Sequence, residues 1–276
     1  MCVMGKFNDK RVLITGGASG IGRIMGAIAL ERGAAALVIW DINQANIDAT
    51  VAELKAKGNV AGYRVDVSDD KAVAETYSRV KAEVGDIDIL INCAGIITSN
   101  KTFDCCTTDE IHRTMAINAV APMVVALQVL PDMVARNSGH ICTIASAGGM
   151  ISNPKMSVYA ASKWAAIGWS DSVRIELEEM KSNVKITTIA PYYITTGMFN
   201  CVQSRVLPLL KPEYAAKQIV RAIEKNTRFK VLMRWIPIPH HFIRLMQGLL
   251  PTRLFDWLFG QVFGIYHTMD NFTGRK

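Results

Sequence analysis

Two side chains in this 276-residue chain stand at a spacing that could move a proton, Tyr159 and Lys163. Four residues apart on a helix, they share one face with Cβ atoms ~5–6 Å apart. A free tyrosine titrates near 10, too high for a base at neutral pH. An ammonium ~5 Å away, at an effective dielectric of about 20, offers the phenolate roughly 3 kcal/mol, worth about two pKa units. A tyrosine so placed becomes a general base for an alcohol proton, or an acid in reverse. Ser146 precedes Tyr159 by thirteen residues. Its hydroxyl can hold the same substrate oxygen against the phenol. The pair alone arises by chance on many helices. Its meaning depends on the elements around it.

Those elements begin with a glycine turn. An apolar run at 11–15 leads directly into Thr15-Gly16-Gly17-Ala18-Ser19-Gly20-Ile21-Gly22, and a helical pattern follows. Glycines let backbone approach a pyrophosphate, and a helix N-terminus offers unpaired N–H groups and a positive dipole to the anion. At the first strand-to-helix turn of a βαβ series, the pattern predicts a dinucleotide site. Asp41 closes the second apolar run, 19 residues after Gly22. A carboxylate there can accept both ribose hydroxyls of adenosine and repels a 2′-phosphate. Neither Ser19 nor Ile42 is a cation, so NAD is expected over NADP. Asp41 can also serve as a helix N-cap.

Strand candidates lie at 11–15, 36–40, 60–65, 87–91, 140–145 and 184–190, with a seventh at 229–233. Most are continuous apolar runs, as strands buried on both faces should be. Helical patterns at 21–32, 45–56, 70–84, 111–135, 158–180 and 213–224 alternate with them. The expected fold is α/β, a Rossmann-type doubly wound parallel sheet of seven strands with helices on both faces. One domain over residues 1–234 is the simplest organisation, with a C-terminal helical extension at 235–276. In that extension Phe242, Leu245, Met246 and Leu249 fall on one helical face. After Pro251, Leu254, Leu258 and Val262 repeat beside Phe255, Phe259 and Phe263. Two amphipathic helices are expected.

Half of the residues are hydrophobic and a fifth charged, which excludes disorder and a disulfide scaffold. The cysteines (2, 93, 105, 106, 142 and 201) show neither C-x-x-C pairing nor zinc-ligand spacing, so no metal is expected. No uninterrupted apolar run reaches the ~18–20 residues that span a bilayer, and residues 1–10 lack a signal-peptide stretch. The formal net charge of +7 is uneven: residues 1–200 hold 19 Lys+Arg against 20 Asp+Glu, and residues 201–276 hold 12 against 4. No basic stripe on the main fold suggests nucleic acid. The expected location is cytoplasmic, free or peripheral on a membrane or lipid surface.

Over residues 9–233 the sequence resembles the short-chain dehydrogenase/reductase family. The T-G-x-x-x-G-x-G pattern is similar to Thr15, Gly16, Gly20 and Gly22. The N-N-A-G stretch appears as Asn92-Cys93-Ala94-Gly95, with cysteine for an asparagine. P-G-x-I-x-T appears as Pro191-Tyr192-Tyr193-Ile194-Thr195-Thr196, with Tyr192 for a glycine. The resemblance implies a catalytic tetrad of Asn118, Ser146, Tyr159 and Lys163. It implies cofactor contacts from Gly16, Ser19, Gly20, Ile21, Gly22, Asp41, Asp66, Val67, Asn92, Ala94, Gly95, Tyr159, Lys163, Pro191, Ile194 and Thr196. Asp66 would lie beside the adenine and Thr196 by the carboxamide. Asn118 would hold a water linking Lys163 to solvent, and Lys163 would grip the nicotinamide ribose. The segments 39–43, 139–141, 191–199 and 210–214 resemble the retinol and 17β-hydroxysteroid dehydrogenase branch.

The segments expected to face substrate, 150–156 and 192–206, carry Met150, Ile151, Met156, Tyr192, Tyr193, Met198 and Phe199 and no cationic cluster. An apolar alcohol or ketone is therefore expected: a retinoid, a steroid or a long-chain alcohol. Alternatives are a non-catalytic NAD-binding sensor or lipid-surface scaffold, an NADPH-dependent ketone reductase, and an epimerase or dehydratase sharing Tyr-x-x-x-Lys. The C-terminal helices fit either a membrane interface or a protein surface. The helices at 111–135 and 158–180 resemble the family's subunit-pairing helices, which implies a homodimer or homotetramer.

Overall fold

Seven apolar runs become seven parallel strands of one sheet: β1 (Arg11–Thr15), β2 (Ala36–Asp41), β3 (Val60–Arg64), β4 (Ile89–Asn92), β5 (His140–Ile144), β6 (Lys185–Pro191) and β7 (Phe229–Leu232). The computed structural model describes residues 6–98, 100–199, 202–204, 207–233, 240–270 and 272, with backbone alone for 240–242. Cys2, Cys201, Val206, the expected domain boundary at 234/235 and the side chain of Phe242 lie outside the described residues.

The spatial order is β3-β2-β1-β4-β5-β6-β7. The chain runs outward from β1 on one side and returns to β4 on the other, so a crevice opens between them at the strand C-termini. Period-two alternation divides the core. Val12, Ile14, Leu37 and Ile39 face one side, against α1 (Gly20–Glu31), α2 (Gln44–Leu54) and α7 (Pro212–Glu224). Leu13, Val38 and Trp40 face the other, against α3 (Asp70–Glu83), α5 (Ala121–Ala135) and α6 (Ser157–Glu179).

The helix expected over 111–135 is longer and interrupted. It begins with α4 (Thr108–Met115), capped by the Thr107–Glu110 capping box, and passes through a π-helical turn at Ala116–Val120 before α5. The whole rod, Thr108–Ala135, has a window of mean hydropathy 1.6 and is long and apolar enough, by composition, to cross a membrane. This corrects the expectation that no such segment exists. The apolar stretch of this helix is interrupted by single polar residues such as Asn118 and Gln128, and its charged residues lie near its ends. Here the rod serves the core, with Val125, Val129 and Met133 buried.

The C-terminal extension forms α8 (His240–Leu249) and α9 (Thr252–Asp256), the latter running into a π-helical segment, Trp257–Val262. Ile243, Phe255 and Phe259 bury themselves with Met150, Ile151 and Ile167. Phe255, Phe259 and Phe263 form a column with ring centroids 4.3 and 5.5 Å apart. Leu245, Leu249, Leu254, Trp257 and Val262 are exposed. The face containing Leu245 and Leu249 is thus the outer one, because Ile243 and Met246 take the inner.

His140 is buried in β5 with its Nε2 2.8 Å from Thr187 Oγ1. Burial, with Lys6 and Lys185 nearby, lowers its pKa to about 3. The unfolded chain binds this proton near 6.5 and the folded chain near 3, so the stability is complete above 6.5 and is lost as pH falls between the two. Urea unfolding at pH 5 should show about 2 kcal/mol less stability from this group than at pH 7. His140→Gln should flatten that slope; an unchanged slope would show that other groups carry it.

Candidate active site

The crevice between β1 and β4 opens into one cavity of about 310 Å³. At one end lies the glycine turn. Gly16 has φ +65°, and a Cβ there would come 2.9 Å from Ala94 Cα. A Cβ at Gly22 would come 2.2 Å from the Gly16 carbonyl oxygen. Backbone approaches backbone here more closely than any side chain permits. Ser19, the N-cap of α1, makes no side-chain capping bond, and the first-turn N–H groups lack intrahelical acceptors. The Thr15 hydroxyl accepts from the N–H groups of Cys93 (3.1 Å) and Ala94 (3.2 Å), tying the two walls together.

Asp41 ends β2 on the cavity wall. Its Oδ2 accepts from Ala18 N at 3.2 Å and its Oδ1 from Asn43 N at 3.1 Å. It is not the cap of α2, which is Asn43. Asp66 Oδ1 accepts from both the N–H (2.9 Å) and the hydroxyl (2.6 Å) of Ser68, and Asp66 lines the cavity with Val67. These features fit a dinucleotide: a backbone cradle at an open helix N-terminus, and a carboxylate at the ribose position.

The other end holds the expected catalytic side chains. Ser146 follows β5, accepts from Gly148 N at 3.1 Å and hydrogen-bonds the Tyr159 phenol. Tyr159 and Lys163 both sit on α6, only 7% and 5% exposed. Lys163 Nζ donates to the Ile144 carbonyl at 3.0 Å and stands 5.8 Å from the Tyr159 ring centroid. Burial pushes Tyr159 up to about 12, against the lowering hydrogen bond from Ser146. Burial also pulls Lys163 down to about 8. The two-unit lowering expected for the tyrosine is therefore absent from the protein alone. Helical spacing sets the pair side by side, but loss of hydration costs both charged forms more than their separation returns.

Asn118 lies in the centre of the π-helical turn. Its Nδ2 donates to Ile96 O at 2.8 Å and to Ser162 Oγ at 3.1 Å, and its Oδ1 accepts from Ile96 N at 2.8 Å. A Cβ on Gly95 would lie 3.3 Å from Asn118 Oδ1 and 3.5 Å from Lys163 Nζ, so only glycine width separates the two. Single-turn π insertions re-aim side chains at functional positions.

A family model described as short chain dehydrogenase matches residues 10–206. The chain belongs to that family. It is 35% identical to epidermal retinol dehydrogenase 2 of Mus musculus over 271 residues, covering 96% of this chain and 85% of the relative. It is 34% identical to estradiol 17-beta-dehydrogenase 11 of Homo sapiens over 245 residues, covering 88% and 79%. A short chain dehydrogenase/reductase from Burkholderia phymatum in complex with NAD shares the fold at TM-score 0.78 and 23% identity, covering 89% and 95%. This short chain dehydrogenase is an oxidoreductase of CH–OH groups that uses a nicotinamide cofactor.

The structure gathers most of the expected site residues of the dehydrogenase into that one cavity. Gly16, Ser19, Gly20, Ile21, Gly22, Asp41, Asp66, Val67, Ala94, Gly95, Ser146, Tyr159, Lys163, Pro191, Ile194 and Thr196 all line it. Asn92 does not: its Nδ2 turns away from the cavity to the Pro122 carbonyl at 3.1 Å, pinning the start of α5 to β4. Asn118 stands behind Gly95 rather than on the wall. Met150 does not line the cavity either; its side chain is buried and its carbonyl accepts from Gln247 Nε2 at 2.6 Å. Ile151, Met156, Tyr192, Tyr193, Met198 and Phe199 do line it, and Ile265 from the C-terminal extension joins them. Sequence reasoning missed Asn153, a buried amide on the same wall. The available signal was an asparagine in a loop otherwise expected to supply apolar side chains to the substrate, Met150, Ile151 and Met156.

Proposed function

We propose that this enzyme is an NAD-dependent dehydrogenase of bulky apolar alcohols, of retinoid, steroid or long-chain type. One observation carries the reading. Ser146, Tyr159 and Lys163 open onto a single buried cavity that continues from the glycine turn into a wall of methionine and aromatic side chains. When bound, the nicotinamide supplies the hydride acceptor for oxidation, or the donor in reverse. The glycine turn, the α1 N-terminus, Asp41, Asp66 and Lys163 are the residues that would hold it. Tyr159 exchanges the proton of the substrate oxygen, and Ser146 donates to that oxygen. Asn118 fixes the Ile96 backbone through both its amide atoms. The retinol and estradiol dehydrogenases among the relatives support an apolar substrate.

The deciding assay follows reduced-nicotinamide absorbance across retinoids, steroids and fatty alcohols, with NAD and NADP in parallel. Lipophilic alcohols should be turned over fastest. Sugars or small polyols turned over faster would overturn the substrate class. Asp41 supports NAD because a carboxylate at the end of β2 can accept ribose hydroxyls and would repel a 2′-phosphate. A cation close to that corner, Arg64, donates its Nε to the Ile42 carbonyl at 3.3 Å. Asp41→Ala should lower kcat/KM with NAD about tenfold and narrow the gap to NADP, the scale of about 1–2 kcal/mol for a lost charge-assisted bond. An unchanged NAD/NADP ratio would remove Asp41 as the selector.

We also propose one catalytic domain over residues 1–234, with the extension at 235–276 packed on it and bearing a lipid-facing surface. Leu245, Leu249, Leu254, Trp257 and Val262 project from it, in a segment that holds 4 Lys+Arg against 2 Asp+Glu. Cationic helices with such a face lie in anionic interfaces. Full-length enzyme should co-sediment with phosphatidylserine vesicles, and Leu254→Gln with Trp257→Gln should weaken that about tenfold. Equal binding would remove the membrane contact. Exposed Val120, Leu127, Trp164 and Ile175 on the helical rod and α6 support a homodimer or homotetramer.

A further inference from the structure

Three polar groups from distant parts of the chain meet at the apolar end of the cavity, with Asn153 and Tyr193 on its wall. Asn153 comes from the loop before α6, Tyr193 from the segment after β6, and Thr268 from the C-terminal extension. Asn153 Nδ2 is 2.9 Å from the Tyr193 hydroxyl and 3.0 Å from Thr268 Oγ1. The Tyr193 and Thr268 oxygens are 3.0 Å apart. Thr268 Oγ1 donates to the Ile265 carbonyl at 2.8 Å.

Counting protons fixes every direction in this cluster. The single Thr268 proton goes to Ile265, so Thr268 Oγ1 must accept from its other two neighbours. The Tyr193 proton therefore goes to Thr268. The two Asn153 N–H groups go to Tyr193 and Thr268. Longer contacts to the Met156 sulfur, at 3.6 Å from Tyr193 and 3.7 Å from Asn153, add a weak acceptor and no donor. The opposite amide orientation would ask both hydroxyls to donate to Asn153, breaking the Thr268–Ile265 and Tyr193–Thr268 bonds. The cluster is thus spent in donors and unfilled in acceptors.

The unfilled acceptor is identifiable. Asn153 is 8% exposed, lines the cavity, and its Oδ1 is buried without a hydrogen-bond partner. Leaving such an oxygen unpaired is costly. Tyr193 keeps one lone pair as well. The Phe199 ring touches both tyrosines, with centroids 6.2 Å from Tyr159 and 5.1 Å from Tyr193. The cluster therefore lies on the same side of the cavity as the reactive phenol.

We infer that Asn153, backed by Tyr193 and Thr268, accepts a hydrogen bond from a second hydroxyl of the substrate, so that the preferred substrate is an apolar diol. The inference rests on the reading of this cavity as the alcohol site. A ketone, ether or ester at the second position offers only acceptors and meets a cluster with no proton to give. A site built to bond a hydroxyl discriminates strongly against the analogue lacking the donor. An unfunctionalised hydrocarbon end leaves Asn153 Oδ1 as unpaired as before.

The test uses full-length enzyme with NAD and a series of α,ω-alkanediols from hexanediol to dodecanediol. Each diol is paired with its mono-methyl ether and with the alkanol of equal length. Because the series varies the distance between oxygens, one length should stand out. There the diol should exceed both partners in kcat/KM by about tenfold. Titration of the same compounds by tryptophan fluorescence should give the same order of affinity. Asn153→Leu should bring the diol-to-ether ratio to about one. Equal rates for diol and ether at every length overturn the inference, and so does a preference for the ether. If nothing is oxidised yet the binding order holds, the anchor stands and the oxidoreductase reading falls. Should Asn153→Leu fail to fold, the wild-type comparison decides alone.

Discussion

Tyr159→Phe should lower kcat/KM for alcohol oxidation by about 10³-fold, within the range for loss of a general acid–base group, while NAD affinity should change by less than about threefold. The asymmetry follows from where the hydroxyl sits. The glycine turn, the open N-terminus of α1 and Asp41 lie at the opposite end of the cavity, and none of their hydrogen bonds involves Tyr159. Removing the hydroxyl deprives Ser146 of one partner, yet Ser146 keeps the bond from Gly148 N. The ring itself, packed edge-on against Phe199, is retained. Stability should therefore change by no more than about 1 kcal/mol. Steady-state rates with fluorescence titration of NAD separate the two effects. Turnover retained within tenfold of wild type would mean that another group carries the proton.

That this phenol faces the crevice could be anticipated from chain order, because each feature there is local. Thr15–Gly22 announces its own turn, Asp41 ends an apolar run at the expected distance, and Tyr159 and Lys163 need only a helix between them. The seven strands and their alternating faces followed in the same way, from runs of Val, Ile and Leu. The features that escaped reading depend on distant partners. Asn118 sits in a π-helical turn and bonds the backbone of Ile96, 22 residues away. Asn92 sits in the right motif, but its amide finds Pro122 instead of the cavity. Asn153 and Thr268 are separated by 115 residues, and nothing in either local sequence names the other. The two-unit lowering at Tyr159 failed for a related reason. Spacing gives the distance between charges, whereas burial by the assembled fold decides what each charge costs.

That cost leads to the last expectation, the pH profile of the pair. Lys163 loses its proton near 8 and Tyr159 near 12, both displaced by burial. The pair therefore sheds its first proton near pH 8. A phenolate beside an ammonium carries as many protons as a phenol beside an amine, so the two forms rise together as pH passes 8. Alcohol oxidation needs the basic form. Its kcat/KM should climb about tenfold per pH unit below 8 and level off above it. In Lys163→Met only the phenol remains, and its own proton leaves near 12. The break near 8 then disappears, and kcat/KM keeps climbing about tenfold per pH unit through pH 10, following the fraction of phenolate formed. Saturating NAD in both enzymes keeps any weakened cofactor binding out of the comparison. A wild-type profile flat from pH 6 to 10, or a methionine variant whose profile still levels off above pH 8, would show that the ammonium does not share the proton with the tyrosine.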